Sequence, residues 1–211
     1  MRGPDLKEAI IEKDVEAVEK ILKKELMIAP MDLQLWIKLS LTELQFPFED
    51  YESALACINE VKKFANDNID ILILEAGIKW HSFGFIEDDL FEQLIKVDVK
   101  DKQKMAIIYY LQSLYFHFNK DLNNEELVLI KSIRMFDKYV YPYIALGDIA
   151  LIKSKNNESK LFYQKAISNV QKVYCGDDVY DFTDIDTYIA EFITGTAISQ
   201  INYEGIKQDM V

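Results

Sequence analysis

Only 7 glycines and 4 prolines occur in 211 residues. Hairpin turns of the Asn-Gly or Asp-Gly kind are therefore scarce, and no alternating strand meets a turn and a partner strand. That excludes an antiparallel β architecture. The two cysteines, Cys57 and Cys175, stand far apart with no Cys-x-x-Cys or Cys/His grouping, which excludes a disulfide framework and a structural zinc site. Basic residues are also short: 24 Lys+Arg face 36 Asp+Glu, a formal charge of −12. Phosphate affinity comes mainly from Lys and Arg, so neither nucleic acid nor an acidic membrane surface is an expected partner. The longest apolar run, Met105 to Phe116, contains Gln112 and Ser113 and is too short to cross a bilayer. The start turns polar at once, unlike a signal peptide. The expected location is the cytoplasm.

What the chain does have is hydrophobic content, 50%, balanced by 28% charged residues, enough to build a core. The apolar residues recur at helical spacing. In Asp14 to Leu26, the positions Val15, Val18, Leu22 and Leu26 form one stripe while Glu16, Glu19, Lys20, Lys23 and Lys24 face water. Similar stripes predict helices over roughly 31–45, 50–65, 69–83, 86–96, 101–118, 123–138, 141–153, 157–173 and 184–203. The joints are short and polar, as antiparallel helical hairpins require.

A period is present as well. Tyr109 and Tyr143, Ser113 and Gly147, Leu129 and Tyr163, and Ser132 and Ala166 are each 34 residues apart and keep their size class. The small residues have a physical role, because two helices approaching at about 8–9 Å need a hole where the backbones come nearest. Ser40, Gly77, Ser113 and Gly147 supply one per hairpin.

On these residues the sequence resembles the tetratricopeptide repeat (TPR) family, whose unit carries Trp-x-x-Leu-Gly-x-x-Tyr and then Ala-x-x-x-Phe-x-x-Ala. The clearest copy is Tyr143-Ile-Ala-Leu-Gly147 with Ser159, Tyr163 and Ala166. A second is Trp36-Ile-Lys-Leu-Ser40 with Tyr51, Ala54 and Ile58, lengthened by two residues around Phe46-Pro47. A weaker third is Ile73-Leu-Glu-Ala-Gly77 with Trp80, and residues 14–30 read as the second helix of a degenerate first unit. In the middle unit, Glu125 stands for a small residue and Gln112 for an apolar one. The resemblance covers about 14–173. It implies an all-α fold: antiparallel hairpins stacked as a short TPR-like right-handed solenoid. The expected organisation is one domain over 1–211, with 174–211 forming an acidic loop and a C-terminal capping helix.

No phosphate loop, zinc-protease, nucleophile-elbow or dinucleotide motif is present, so no specific argument for an enzyme arises and no cofactor or metal is expected. His81 and His117 lie four residues after Gly77 and Ser113. The resemblance places that position in the concave groove, with Leu44 and Leu151 equivalent. Such histidines are more often plain polar surface than a site, and no third residue suggests a metal. The second candidate is the stretch from Cys175 onward, which holds −7 of the −12. Its Asp177, Asp178, Asp181, Asp184 and Asp186 alternate with Tyr180, Phe182 and Tyr188. It lacks the turn glycine and the terminal glutamate of an EF-hand. Acids interleaved with aromatics suit a surface that grips a basic protein. The sequence expectation is thus a non-catalytic protein-binding module, most concretely an immunity-type protein neutralising a basic toxin such as a nuclease. The alternative is a TPR-like peptide-sensing or chaperone adaptor, and an enzyme using the histidines or C-terminal carboxylates ranks last.

Overall fold

The computed structural model describes residues 5–176 and 180–209. Among them the fold is all-α with no named strand: α1 (Leu6–Ile11), α2 (Val15–Ile28), α3 (Leu33–Glu43), α4 (Tyr51–Lys62), α5 (Ile69–Phe83), α6 (Asp88–Lys96), α7 (Lys102–Phe118), α8 (Leu122–Met135), α9 (Tyr141–Ile152), α10 (Asn156–Val173), α11 (Ile185–Tyr188) and α12 (Gln200–Asp209). A π-helical turn, Ile189–Ile193, follows α11.

The helices begin where short acidic side chains satisfy the free N–H groups of the first turn. Carboxylates of Asp5, Asp14, Asp32, Asp50, Asp101 and Asp121 accept from backbone amides two or three residues on, at 2.8–3.2 Å. Asn68 does the same for Asp70 and Ile71. Each such cap stabilises its helix by about 1 kcal/mol. The turn inside each hairpin is equally regular. One residue takes the left-handed conformation at Lys13, Glu49, Gly84, Lys120 and Ser154. The spacings are 36, 35, 36 and 34 residues, so the backbone itself repeats five times. In four of the five, the left-handed residue directly precedes the next N-cap: Asp14, Asp50, Asp121 or Lys155.

The chain packs as two compact units. In the first, described residues up to Ile78 together with Asp181–Tyr188, neighbours in sequence are neighbours in space: α1 on α2, α2 on α3, α3 on α4. Val18, Leu22, Ile37, Leu41, Ala54, Ile58 and Val61 form its interior. The Ser40 hydroxyl donates to the Ala54 carbonyl at 2.9 Å, fastening α3 to α4 at the predicted hole. α11 packs on α3, and Lys38 donates to the Thr183 hydroxyl at 3.2 Å.

The second unit runs from Lys79 to Tyr180 and resumes at Ile189. Here α6 packs on α7, α7 on α8, α8 on α9 and α9 on α10. Gly147 supplies the closest approach, facing the ring of Tyr163 across the α9–α10 hairpin. The Ser132 hydroxyl donates to the Ala106 carbonyl at 2.7 Å. Gln112, an exception to the repeat pattern, is buried with its amide donating to the Leu94 carbonyl at 3.0 Å, so its polarity is satisfied.

The C-terminal segment corrects one expectation. The continuous helix predicted over 184–203 is broken into α11, the π turn, an irregular passage and α12. The break falls at Thr194-Gly195-Thr196. Gly195 has φ +65°, and a Cβ there would meet Val140 at 3.1 Å and the Tyr141 ring at 3.3 Å, so only glycine fits. The Thr194 hydroxyl donates to the Ile189 carbonyl at 3.2 Å, and the Thr194 carbonyl accepts from Val140 N–H at 3.0 Å. Ile198 and Ile206 enter a core with Val140, Tyr143, Ala166 and Val170. In the second unit, therefore, the segment covers the last hairpin with two separate pieces. The six-residue α1, absent from the sequence reading, is the other addition.

Candidate functional site

The two histidines go to different partners. His117 remains exposed at the end of α7, with Nδ1 3.0 Å from Glu125 Oε1 and its ring edge-on to Trp80 at 6.1 Å. His81 is exposed as a residue. Its ring meets Phe192 edge-on at 6.4 Å and hydrogen-bonds the Phe192 backbone. Crowding by protein atoms holds the His81 pKa below the usual imidazole value, with the hydrogen bond opposing, so the ring is neutral at pH 7. Among the described residues, no group of three His, Cys, Asp or Glu is placed to hold a metal ion.

The C-terminal candidates are distributed in a way that composition did not foretell. Asp177 and Asp178 lie outside the described residues. Phe182 and Tyr188 are buried inside the first unit, at 5% and 7% exposure, so their rings pack in the fold instead of projecting toward a partner. Asp181 accepts from the Thr183 amide and hydroxyl, both at 2.8 Å. Asp184 accepts from the Thr187 amide and hydroxyl at 2.8 and 2.9 Å. Asp186 is exposed, and Tyr180, half-buried, rests edge-on against Phe192 in the second unit. Two of the described acids are thus turn-forming groups, and two of the aromatics are core.

Four glutamates are buried, of which the sequence reading singled out Glu125 alone, as a departure from the repeat pattern. Glu43 meets Lys23 at 3.2 Å, Glu75 meets Lys62 at 2.9 Å, Glu125 meets His117, and Glu191 accepts from Ser199 N–H at 3.2 Å and the Asn202 amide at 3.3 Å. The first three join successive helices. Burial is the main influence on Glu43 and Glu125, raising the pKa of each against the pull of its cationic or imidazole partner. Glu125 Oε2 has no hydrogen-bond partner and is shielded from water. The available signal was an acid amid apolar neighbours, as in Leu41-Thr-Glu43-Leu44 and Leu74-Glu75-Ala76-Gly77.

Two surface depressions are shaped to receive something. In the first unit, a groove of about 500 Å³ runs between α2, α3 and α4, lined by Leu26, Met27, Trp36, Leu39 and Cys57 beside the Lys23–Glu43 pair. Met27, Ile28 and Met31 stand 69–81% exposed at the α2–α3 turn, an unusual amount of bare apolar surface for one turn. In the second unit, a notch of about 430 Å³ opens where the end of α7 meets the start of α6. Neither contains a nucleophile positioned by a base. Cys57 is buried and its thiol is pushed up to about 12, so it is inert at neutral pH.

No protein-family model and no curated protein matches the sequence. Solved structures do match in fold. A crystal structure of MamA superimposes with a TM-score of 0.64 at 13% identity, covering 82% of this chain and 98% of that one. A second crystal structure of MamA protein gives 0.61 at 14% identity, covering 79% and 88%. The MamA RS-1 ArsTM double mutant gives 0.65 at 13%, covering 79% and 91%. The chain has the TPR-like helical repeat fold of these proteins. Identity this low speaks to fold alone.

Proposed function

We propose that this chain is a protein-interaction module of the adaptor kind, a TPR-like scaffold that holds a peptide or a segment of another protein. The observation that carries the reading is the likeness in fold to MamA over 82% of this chain and 98% of that one. Repeat hairpins of this sort expose extended surfaces made from successive helices, and their common use is protein recognition. The exposed apolar turn at Met27, Ile28 and Met31 and the groove beside it support the same reading, since monomeric surfaces seldom leave such patches bare. Among the described residues no helix is long and apolar enough to cross a membrane.

Neutralisation of a basic toxin, the narrower expectation drawn from charge, gains nothing from the fold likeness. It also loses part of its basis, because Phe182 and Tyr188 are buried. The adaptor reading is tested by presenting the folded chain to an array of ten-residue peptides and titrating the hits by fluorescence anisotropy. Saturable binding in the micromolar range, competed by unlabelled peptide, is the expected result. A chain that is helical by circular dichroism yet binds no peptide saturably refutes it.

A further inference from the structure

The notch in the second unit combines two features that point to one chemistry. Its apolar side is a ledge of aromatic rings: Phe85 lies 5.4 Å from Phe118 and 6.2 Å from Phe83, centroid to centroid, with the planes tilted by 36° and 46°. Phe83 and Phe118 are 48% and 53% exposed. Two phenyl groups left about half in water beside the partly buried Phe85 are costly surface for a folded chain to keep. A second aromatic group includes Tyr115, which also lines the notch. Phe91 stacks on Tyr115 at 3.8 Å, and the Tyr115 hydroxyl donates to Asp88 at 2.9 Å.

The other side of the notch is anionic. Glu87, Asp88 and Asp89 line it, and no lysine or arginine does. Lys79 pairs with Glu87. The Tyr115 hydroxyl is a neutral donor and leaves the Asp88 charge in place, while the Asp89 carboxylate has no hydrogen-bond or ion-pair partner among the described residues. The start of α6 contributes about half a positive charge, which two uncompensated carboxylates outweigh. A group seated here would therefore meet phenyl faces and carboxylates within one side chain's reach. An acidic or purely aliphatic group would leave the carboxylates unanswered.

We propose that this notch takes the arginine side chain of a basic peptide segment, the guanidinium lying on the Phe85–Phe118 ledge and donating to Asp88 and Asp89. Arginine fits better than lysine because its planar fork can stack on a ring and bond a carboxylate at once. The inference rests on the adaptor reading and specifies the partner's chemistry at one surface. Its probe is a labelled ten-residue peptide alternating arginine with leucine, compared with lysine and glutamate counterparts, on the full chain by fluorescence anisotropy. The arginine peptide binds most tightly, and raising salt from about 50 to about 300 mM weakens it several-fold. Asp89→Asn, an exposed change, and Phe118→Ala each weaken it about fivefold. A benzophenone placed in the arginine peptide attaches within residues 83–89 or 115–119. Unchanged affinity in Asp89→Asn, equal binding of the glutamate peptide, or attachment elsewhere overturns the proposal. If other peptides bind the chain while the arginine peptide does not, this inference fails and the adaptor reading stands. If no peptide of any composition binds, the adaptor reading itself fails.

Discussion

Replacing Gly147 by alanine sets two effects of comparable size against each other. In an isolated helix the change is favourable by about 1 kcal/mol, because glycine loses more backbone freedom on folding. In this fold, a Cβ at position 147 would stand 2.4, 2.7 and 2.8 Å from three ring carbons of Tyr163. Carbon pairs rest at about 3.5–4.0 Å, so the ring must retreat by roughly 1 Å. Its retreat is opposed by the bond between its hydroxyl and Asp148. Overpacking of this kind costs about 1–3 kcal/mol, and after the helical gain is subtracted the expected loss is about 0–2 kcal/mol. For a chain of this length that is a fall of up to roughly 8 °C in Tm. Thermal and urea unfolding followed at 222 nm measure it, with an unchanged m-value confirming that only stability moved. The decisive comparison is a double-mutant cycle. In a Tyr163→Leu background the ring is gone, and Gly147→Ala should become neutral or stabilising. If Gly147→Ala stabilises the wild-type chain, or has the same effect in both backgrounds, the hole at Gly147 is not what lets α9 and α10 approach.

Other consequences follow from the buried acids and the thiols. Because burial raises the folded pKa of Glu125 above its ordinary 4.5, the native chain holds that proton more tightly than the unfolded chain. The resulting stability is fully present below about pH 4.5 and is lost as pH rises through the folded value. Glu125→Gln should therefore be neutral to about 1 kcal/mol more stable at pH 7, with a flatter profile between pH 4.5 and 7; urea midpoints across that range check it, and parallel profiles refute it. Of the two cysteines, Cys175 is exposed and Cys57 is buried with its thiol pushed up to about 12. A thiol-reactive chromophore should thus label one site per native chain and two after denaturation, and two labelled sites in the native chain would contradict the packing of α4.

The hairpins were legible because their packing rule is local and written in size: a small residue facing a large one at fixed spacing. Ser40 and Gly147 do in the structure what the spacing implied, one by donating to a carbonyl of the neighbouring helix and one by admitting a ring, whereas the Ser113 hydroxyl donates to the Tyr110 carbonyl within its own helix and Ser132 makes the interhelical bond. The C-terminal helix was misread because its apolar spacing persists through Thr194-Gly195-Thr196, where a positive φ and two hydroxyls break the helical ladder. Periodicity counts apolar residues and does not weigh a single glycine. The acidic C-terminal surface was overread for a related reason. Composition sees tyrosine and phenylalanine beside aspartate as an exposed mixture, whereas Phe182 and Tyr188 turn inward and Asp181 and Asp184 hold the turns that let them. The rings of the notch carried no composition signal. Phe85 and Phe118 are 33 residues apart in sequence and meet only because α6 and α7 pack together.

The charge of −12 can now be separated by the work each acid does. Six aspartates cap helices, Asp181 and Asp184 hold turns, and four glutamates are buried against a lysine, a histidine or backbone and amide donors, so twelve acids serve the fold itself. Capping acids gain from the helix dipole wherever the helix lies, which explains why they are spread along the chain at hairpin intervals and create no single field. An acid that helps to recognise a partner has to differ from these in one respect: its charge must remain available where the surface is also apolar. Asp186 is exposed, whereas Asp89 stands unpaired among the described residues in the notch that Phe85 and Phe118 also line. Net charge alone therefore carries little information about partners in this chain. The coincidence of an unanswered carboxylate with exposed rings is the more discriminating signal, and the arginine contact proposed at the junction of α6 and α7 rests on it.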